Sequence, residues 1–463
     1  MQTVRTYMNV PKALDPAHIL SMSDLELSIA LASTLVVFND ERELSAGLAE
    51  KWAITGQKEI TFSLRKNILW SDGSLVKAGE YRDALLRAQK LYGGDLKALF
   101  DVIERIDSKD DRTLVFVTKG NAEKSGVILK LTEPMYGLVA LKGGALDLSK
   151  SVGPFFLEHR SGDELSLDVN KNWYAYAKAM PERVEIRPLK QDGGNWLANF
   201  EADSWANLTS GTSLLEANVA EQLQKNGYKT WQRTLDKVYS LYPSKRFIHA
   251  GGIGFIKHLA VALDREQLMK NLSGFTIAEQ FFPRGYVLYS SKAPVVNQAG
   301  SREGKKEIVA LMVESPHSPI MNHRIKAALD GFDGVKVRAE EIPVSKLNER
   351  MKKGDFDILV SSIAVADPNF EGAMSFFIER DPPVIQSGKS PYDFSHQMRL
   401  ARGLPSSEER AQRMREIIVT AQEAGYVLPL FHLSSLAVAK PGIDLSGVPN
   451  SDETVLFSKV RMQ

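Results

Sequence analysis

Residues 307–362 read EIVALMVESPHSPIMNHRIKAALDGFDGVKVRAEEIPVSKLNERMKKGDFDILVSS, and the spacing of their apolar positions changes four times. EIVALMVES is a continuous apolar run of strand length. MNHRIKAALDGF has helical spacing and ends at a glycine. VKVRAEEI alternates, VSKLNERMKK returns to a helical period, and FDILVSS closes as a strand. Strands alternating with helices place this stretch in α/β layers. Further on, SSEERAQRMREIIVTAQEAG is the clearest helix of the chain, with Ala411, Met414, Ile418 and Ala421 on its inward face.

Just beyond the stretch, residues 358–370 read ILVSSIAVADPNF, an apolar run broken by Asp367 and followed at once by proline. An ionised carboxylate taken out of water without a partner costs several kcal/mol. Asp-Pro-Asn suits a helix start, with Asp367 as cap and proline at the first helical position. The same acid equally suits a positive partner arriving from outside. Both readings stand.

Upstream, TVRTYMNVP alternates as a strand, and a helix capped by Asp24 is expected to turn Leu25, Ile29 and Ala32 inward. ITFSLRKNILW places Ile60, Phe62 and Leu64 on one face, and SDG supplies a turn. EYRDALLRAQKLYGG is an amphipathic helix closed by two glycines, and TLVFVTKG is another strand. SVGPFFLEHRSGDELSLDVN gives two strands joined by a Ser-Gly-Asp turn.

At 463 residues the chain exceeds one ordinary core, so two or three domains are expected. Its 58 basic and 57 acidic residues leave a net charge of +1, without a Lys/Arg stripe for nucleic acid or a membrane surface. There is no cysteine, which removes disulfides, thiolate metal sites and cysteine nucleophiles together. No window approaches 18 consecutive apolar residues. The start, MQTVRTYMNVP, lacks the apolar core of a signal peptide, so an exported protein with this start has lost its leader. With no internal repeat and no low-complexity linker, domain boundaries are expected as crossings by short strands between hinged lobes.

Enzyme motifs find little support. GSREGKK at 300–306 is one residue short of a phosphate loop and has Lys306 where the metal-binding hydroxyl belongs. AGGIGF lacks the third glycine of a dinucleotide fingerprint. SLRK at 63–66 and SLVK at 74–77 match a Ser-x-x-Lys spacing, but the first lies on an alternating strand and neither KTG nor SDN occurs. His317 and His323 stand near one another without an HExxH helix. Cofactors and metals are therefore expected to be absent.

Six stretches, in order along the chain, together resemble one family. They are VRTYMNVPKALDPAH, LSAGLAEKWAITGQKEITFSLRKNILWSDGSLVKAGEY, VGPFFL, HLAVALDREQLM, FDILVSSIAVADPNFEGAMSFF and GYVLPLFH. These resemble the bacterial extracytoplasmic solute-binding proteins of the oligopeptide- and dipeptide-binding class (family 5). Phe155 stands where that family has tyrosine, and VYSLYPSKR (238–246) replaces its usual Asn-containing strand.

The resemblance implies an α/β, two-lobed clamp of three domains. Domain I would comprise 1–37, 152–238 and 433–463, domain II 38–151 and domain III 239–432, with crossings near 236–243 and 430–438. It implies no enzymatic activity but capture of a short peptide or similar small solute by a monomer, in a cleft closed by hinge motion. Delivery would be to the membrane permease subunits of an ABC importer, from a periplasmic or otherwise extracytoplasmic location, with a lipid anchor allowed. Asp367 would meet the peptide's α-ammonium. Tyr136, in LTEPMYGLV, would line the cleft, although core packing is the commoner fate of such a tyrosine. The alternatives are a sensor or chaperone-like binder on the same fold, and a hydrolase with a clustered nucleophile and base.

Overall fold

The computed structural model describes the chain apart from residues 1, 9, 20–21, 40–42, 93–95, 121–123, 189–199, 213–214, 217–218, 274, 283–288, 291–293, 297–306, 314–317, 331, 344–345, 365–395, 398–399, 402–403, 405–406 and 449–455. Two compact units emerge. The first is Met1–Ser210 with Leu223–Trp231 and Ala437–Gln463, and the second is Gly211–Gln222 with Gln232–Leu436. The chain thus passes between units four times, at 210/211, 222/223, 231/232 and 436/437, rather than the two times expected. The unexpected pair brackets 211–222, too short to show a core-forming period of its own.

The first unit opens with β1 (Thr3–Tyr7) and α1 (Met22–Leu31). Asp24 lies inside the first turn of α1 instead of capping it, and Leu27, Ser28, Ala30 and Leu31 are the buried positions. Leu25 and Ile29 stay half-buried, and Ala32 is buried just past the helix end. The run is apolar nearly all round, so its period does not select a face; the neighbours do. Next come β2 (Ala49–Thr55), β3 (Glu59–Leu64), α2 (Ala78–Tyr92), β4 (Ile103–Ser108) and β5 (Thr113–Thr118). The four strands form a sheet in the order β2-β3-β5-β4. Ile60, Phe62 and Leu64 point into a core shared with Tyr81, Ala84 and Leu85 of α2, as the alternation requires.

A second sheet of this unit contains β6 (Phe155–Ser161), β7 (Glu164–Val169) and β8 (Arg183–Arg187), in the order β1-β8-β7-β6. The β6–β7 hairpin turns through Gly162 at φ 57°, a left-handed conformation that glycine adopts without strain. β1 runs parallel to β8, with Thr3 opposite Arg183 and Tyr7 opposite Arg187. Val4, Leu167 and Val184 share a separate core with Leu27 and Ala437.

Strands carry the chain through three of the passages: β9 (Leu208–Thr212) holds 210/211, β10 (Lys229–Pro243) holds 231/232, and the last strand of the second unit, Leu428–Ala439, holds 436/437. The second unit adds α3 (Ile253–Ala262), β11 (Phe275–Ile277), β12 (Glu307–Val313), α4 (Ser318–Leu329) and β13 (Lys336–Ile342). It ends with α5 (Leu347–Lys353), β14 (Ile358–Ala364), α6 (Ser407–Glu423) and β15 (Leu428–Ala439). The sheet order is β9-β15-β10-β14-β12-β13, with β11 beside β15. Here β12 is parallel to both β13 and β14, and β14 is antiparallel to β10. Successive residues of β12 and β14 enter opposite cores: Ala310, Met312 and Val360 on one face, Val309, Leu311 and Leu359 on the other. A sheet covered on both faces explains why these strands read as continuous apolar runs.

Candidate functional site

Helices cover both faces of the second unit's sheet. On one face α4 packs Met321, Ile325 and Leu329 against the sheet, beside Phe255 and Leu259 of α3. On the opposite face α6 packs Ala411, Met414 and Ile418, with Leu347 and Met351 of α5 beside them. The chain therefore leaves β12 towards one face to enter α4, whereas α5, which precedes β14, and α6 lie on the other. In open α/β sheets ligands usually bind outside the carboxyl ends of adjacent parallel strands, which makes those of β12 and β14 the candidate position here. The carboxyl ends are Val313 of β12 and Ala364 of β14, held in register by Ala310 opposite Ile358 and Met312 opposite Val360. Asp367 follows Ala364 by three residues in sequence and lies outside the described residues.

A second acid of the same stretch, Asp357, lies just before the amino end of β14. It is buried and receives a bidentate pair from Arg246, Nε to Oδ1 and Nη2 to Oδ2, both 3.1 Å. The Val309 amide donates to Oδ2 at 3.0 Å, and the Asp357 amide returns a bond to the Val309 carbonyl at 2.9 Å. Ser244 caps the helix Lys245–His249 and donates its hydroxyl to the Phe356 carbonyl at 2.6 Å. Thus the SKR of VYSLYPSKR locks the start of β14, so that its carboxyl end issues from a fixed strand. Sequence reading missed this pair because Arg246 lies far away along the chain. The available signal was an acid at the head of an apolar run, which demands a cation somewhere.

The first unit shows what its signature residues do. In WSDG, Trp70 is fully buried and donates Nε1–H to Glu80 at 3.3 Å, while Lys150 lies 4.9 Å over its ring. Asp72 accepts from the Ser74 amide (2.9 Å) and hydroxyl (2.6 Å), which hold its carboxyl below the usual range. Asn172 reaches the Trp70 and Ser71 carbonyls at 3.2 and 3.3 Å. The motif is a turn anchor. The hydroxyl of Ser74, tested above as a nucleophile, is engaged in that turn.

In the LDP loop, buried Asp15 pairs with Arg87 of α2 at 2.7 Å and accepts from the Ala17 amide at 3.1 Å, while His18 stacks on Tyr92 at 4.8 Å. Tyr136 is 1% exposed, in the core that contains Tyr81, and its carbonyl accepts the Tyr81 hydroxyl at 2.5 Å. Burial pushes the Tyr136 phenol well up. The structure therefore places this ring in packing contact with the first unit's own core. His323 lies on α4, and His317 falls outside the described residues. Among the described residues, no group of three or more His, Cys, Asp or Glu is arranged to hold a metal ion, and no helix is long and apolar enough to cross a membrane.

Known proteins agree with this architecture. Residues 43–380 match the family described as bacterial extracellular solute-binding proteins, family 5 middle. The chain is similar to the probable D,D-dipeptide-binding periplasmic protein DdpA of Escherichia coli (strain K12), 21% identical over 449 residues, covering 88% of this chain and 83% of that one. NikA from Brucella suis in complex with Fe(III)-EDTA superposes over all of both chains with a TM-score of 0.84 at 18% identity. A dipeptide-binding protein from Pseudoalteromonas sp. SM9913 in complex with Met-Leu superposes likewise, with a TM-score of 0.77 at 14% identity. With a family match over most of its length and an α/β fold shared throughout, this chain belongs to family 5 of the bacterial extracellular solute-binding proteins.

Proposed function

We propose that the protein is the solute-capture component of an ABC importer and that it takes short peptides, outside the cytoplasm, in a cleft between two lobes that close on a hinge. Each lobe would supply one wall. The observation that carries this reading is the parallel pair β12 and β14, whose carboxyl ends are the usual ligand position in such sheets, with Asp367 three residues beyond β14 in sequence. Within the first unit, the separate cores around Phe62 and around Val184 support a division into domains I and II near residues 37/38 and 151/152, with the second unit as domain III. The DdpA-like relative and the Met-Leu complex favour a peptide ligand. Asp367 would accept the α-ammonium in a closed, dry cleft, where charge-assisted hydrogen bonds are stronger than neutral ones.

Asparagine caps helices about as well as aspartate, so Asp367→Asn keeps a cap while deleting the charge. The expected variant is folded with wild-type melting and binds short peptides roughly ten- to hundredfold more weakly, the equivalent of about 1.5–3 kcal/mol for a hydrogen bond to a charged group. Acetylating the peptide's amino terminus should weaken wild-type binding by a similar factor and the variant's hardly at all. Equal loss in both proteins would remove Asp367 as the ammonium partner.

The likeness to NikA with Fe(III)-EDTA supports a second reading, an anionic metal chelate as cargo. Titration with Fe(III)-EDTA separates the two, because Asp367→Asn should then strengthen binding by removing a like charge.

A further inference from the structure

Three of the four passages between the units have their first-unit ends tied to one cluster around β1. Asn207, three residues before the 210/211 passage, has all four of its polar groups engaged. Its amide donates to the Arg5 carbonyl (3.0 Å), its Oδ1 accepts from the Arg5 amide (2.7 Å), and its Nδ2 donates to the Thr3 carbonyl (2.8 Å). Its own carbonyl accepts the amide of Lys440, three residues past Ala437, at 2.9 Å. The outgoing and returning chains are thereby bonded to each other on the free edge of β1.

Asp203 reinforces the junction from the other side. Its Oδ2 accepts the Tyr7 hydroxyl, its Oδ1 accepts the Trp205 amide at 2.6 Å, and its carbonyl accepts Lys440 Nζ. Burial and the bond to Asp203 push the Tyr7 phenol up to about 12. Arg187 stacks 4.2 Å over the Trp205 ring, whose other neighbour is Tyr7 at 5.0 Å. Phe200 lies under Lys440 Nζ at 5.2 Å and beside Tyr228, three residues before the 231/232 passage, at 6.0 Å.

We propose that Asn207 and Asp203 form the hinge root: they fix the first-unit ends of the crossing segments as one rigid junction, so that opening and closing bends the chain only beyond it. The inference rests on the clamp reading above but assigns a device within one unit. Local hydrogen bonds of this kind set the free energy of local opening, which amide exchange reads directly. Removing an amide that satisfies two backbone groups at once should raise local exchange at least about tenfold.

The test compares Asn207→Ala and Asp203→Ala with wild type, and adds Tyr7→Phe, which deletes one hydrogen bond and keeps the ring. Hydrogen exchange should accelerate at least about tenfold at the Arg5 and Lys440 amides in Asn207→Ala, while the Leu167 and Val184 amides keep their wild-type rates. Because the chain has no cysteine, Lys58→Cys and Lys352→Cys allow spin labels on the two units without background. The inter-label distance distribution should broaden in the root variants and stay unchanged in the surface control Arg105→Ala. Unchanged exchange, acceleration spread evenly over the first unit, or local acceleration with an unchanged distance distribution would each overturn the root. A wild-type distribution that ignores a bound peptide would instead overturn the clamp, whatever the exchange rates show.

Discussion

At Gly153 a single hydrogen atom separates a fit from a collision. A Cβ there would lie 2.5 Å from the Leu31 carbonyl carbon, 2.6 Å from the Ala32 nitrogen and 2.7 Å from the Ala30 oxygen. All three are backbone atoms, so no side chain can swing away. The junction is tightened by Ser151, whose hydroxyl donates to the Leu31 carbonyl and accepts the Gly153 amide. Gly153→Ala should therefore destabilise the first unit by about 1–3 kcal/mol, the usual cost of overpacking, visible as a lowered urea midpoint with unchanged slope. In the second unit the telling residue is His432 on β15, where burial pushes the imidazole down to about 4 from an ordinary 6.5. With the folded value depressed, the unfolded chain binds the extra proton, so stability is full above pH 6.5 and declines as the pH falls towards 4. The loss attributable to this residue is about 3 kcal/mol over that window, taking 1.36 kcal/mol per pKa unit. In urea titrations, His432→Gln should flatten the dependence by up to about 1 kcal/mol per pH unit. A variant whose slope between pH 4 and 6.5 matches wild type would show that His432 carries none of it.

At the scale of elements, legibility follows how much of the signal is local. The strands and helices from Glu307 to Ala364 are readable because each apolar run has one period and a glycine, proline or charged break at its end. The buried face of α6 is readable for the same reason: Ala411, Met414, Ile418 and Ala421 are inside as their spacing requires. α1 resists such reading, since LELSIALASTLVV offers apolar residues to every direction and only its tertiary partners choose Leu27, Ala30 and Leu31. The candidate site divides similarly. Its acid is visible as an anomaly within an apolar run. The adjacency of β12 and β14 is invisible, because β13 lies between them in sequence and only the sheet order brings them together. The Arg246–Asp357 clasp and the Asn207 junction join residues distant in sequence, and no spacing rule reaches them. WSDG shows the converse: a short motif whose bonds to Asn172 and Glu80 are long-range, yet whose turn is written in four adjacent letters.

For the whole molecule, the proposed clamp makes the decisive quantity the differential affinity of a solute for an open and a closed state. A ligand shifts such an equilibrium only by the free energy with which it prefers one state, and moving a population from 1:99 to 99:1 takes about 5.5 kcal/mol. One charge-assisted bond at Asp367, about 1.5–3 kcal/mol, falls short of that on its own. Closure of the proposed clamp would therefore draw on further contacts from both walls, and Asp367→Asn should weaken closing without abolishing it. Small-angle scattering provides the measurement. Saturating peptide should reduce the wild-type radius of gyration, and the variant should reach the same reduced value at a concentration roughly ten- to hundredfold higher. The plateau matters more than the midpoint. If Asp367→Asn saturates with peptide and never contracts, the carboxylate itself is the closing contact. If neither protein contracts while peptide binding is demonstrated by calorimetry, the pocket is rigid and the hinge has no part in capture.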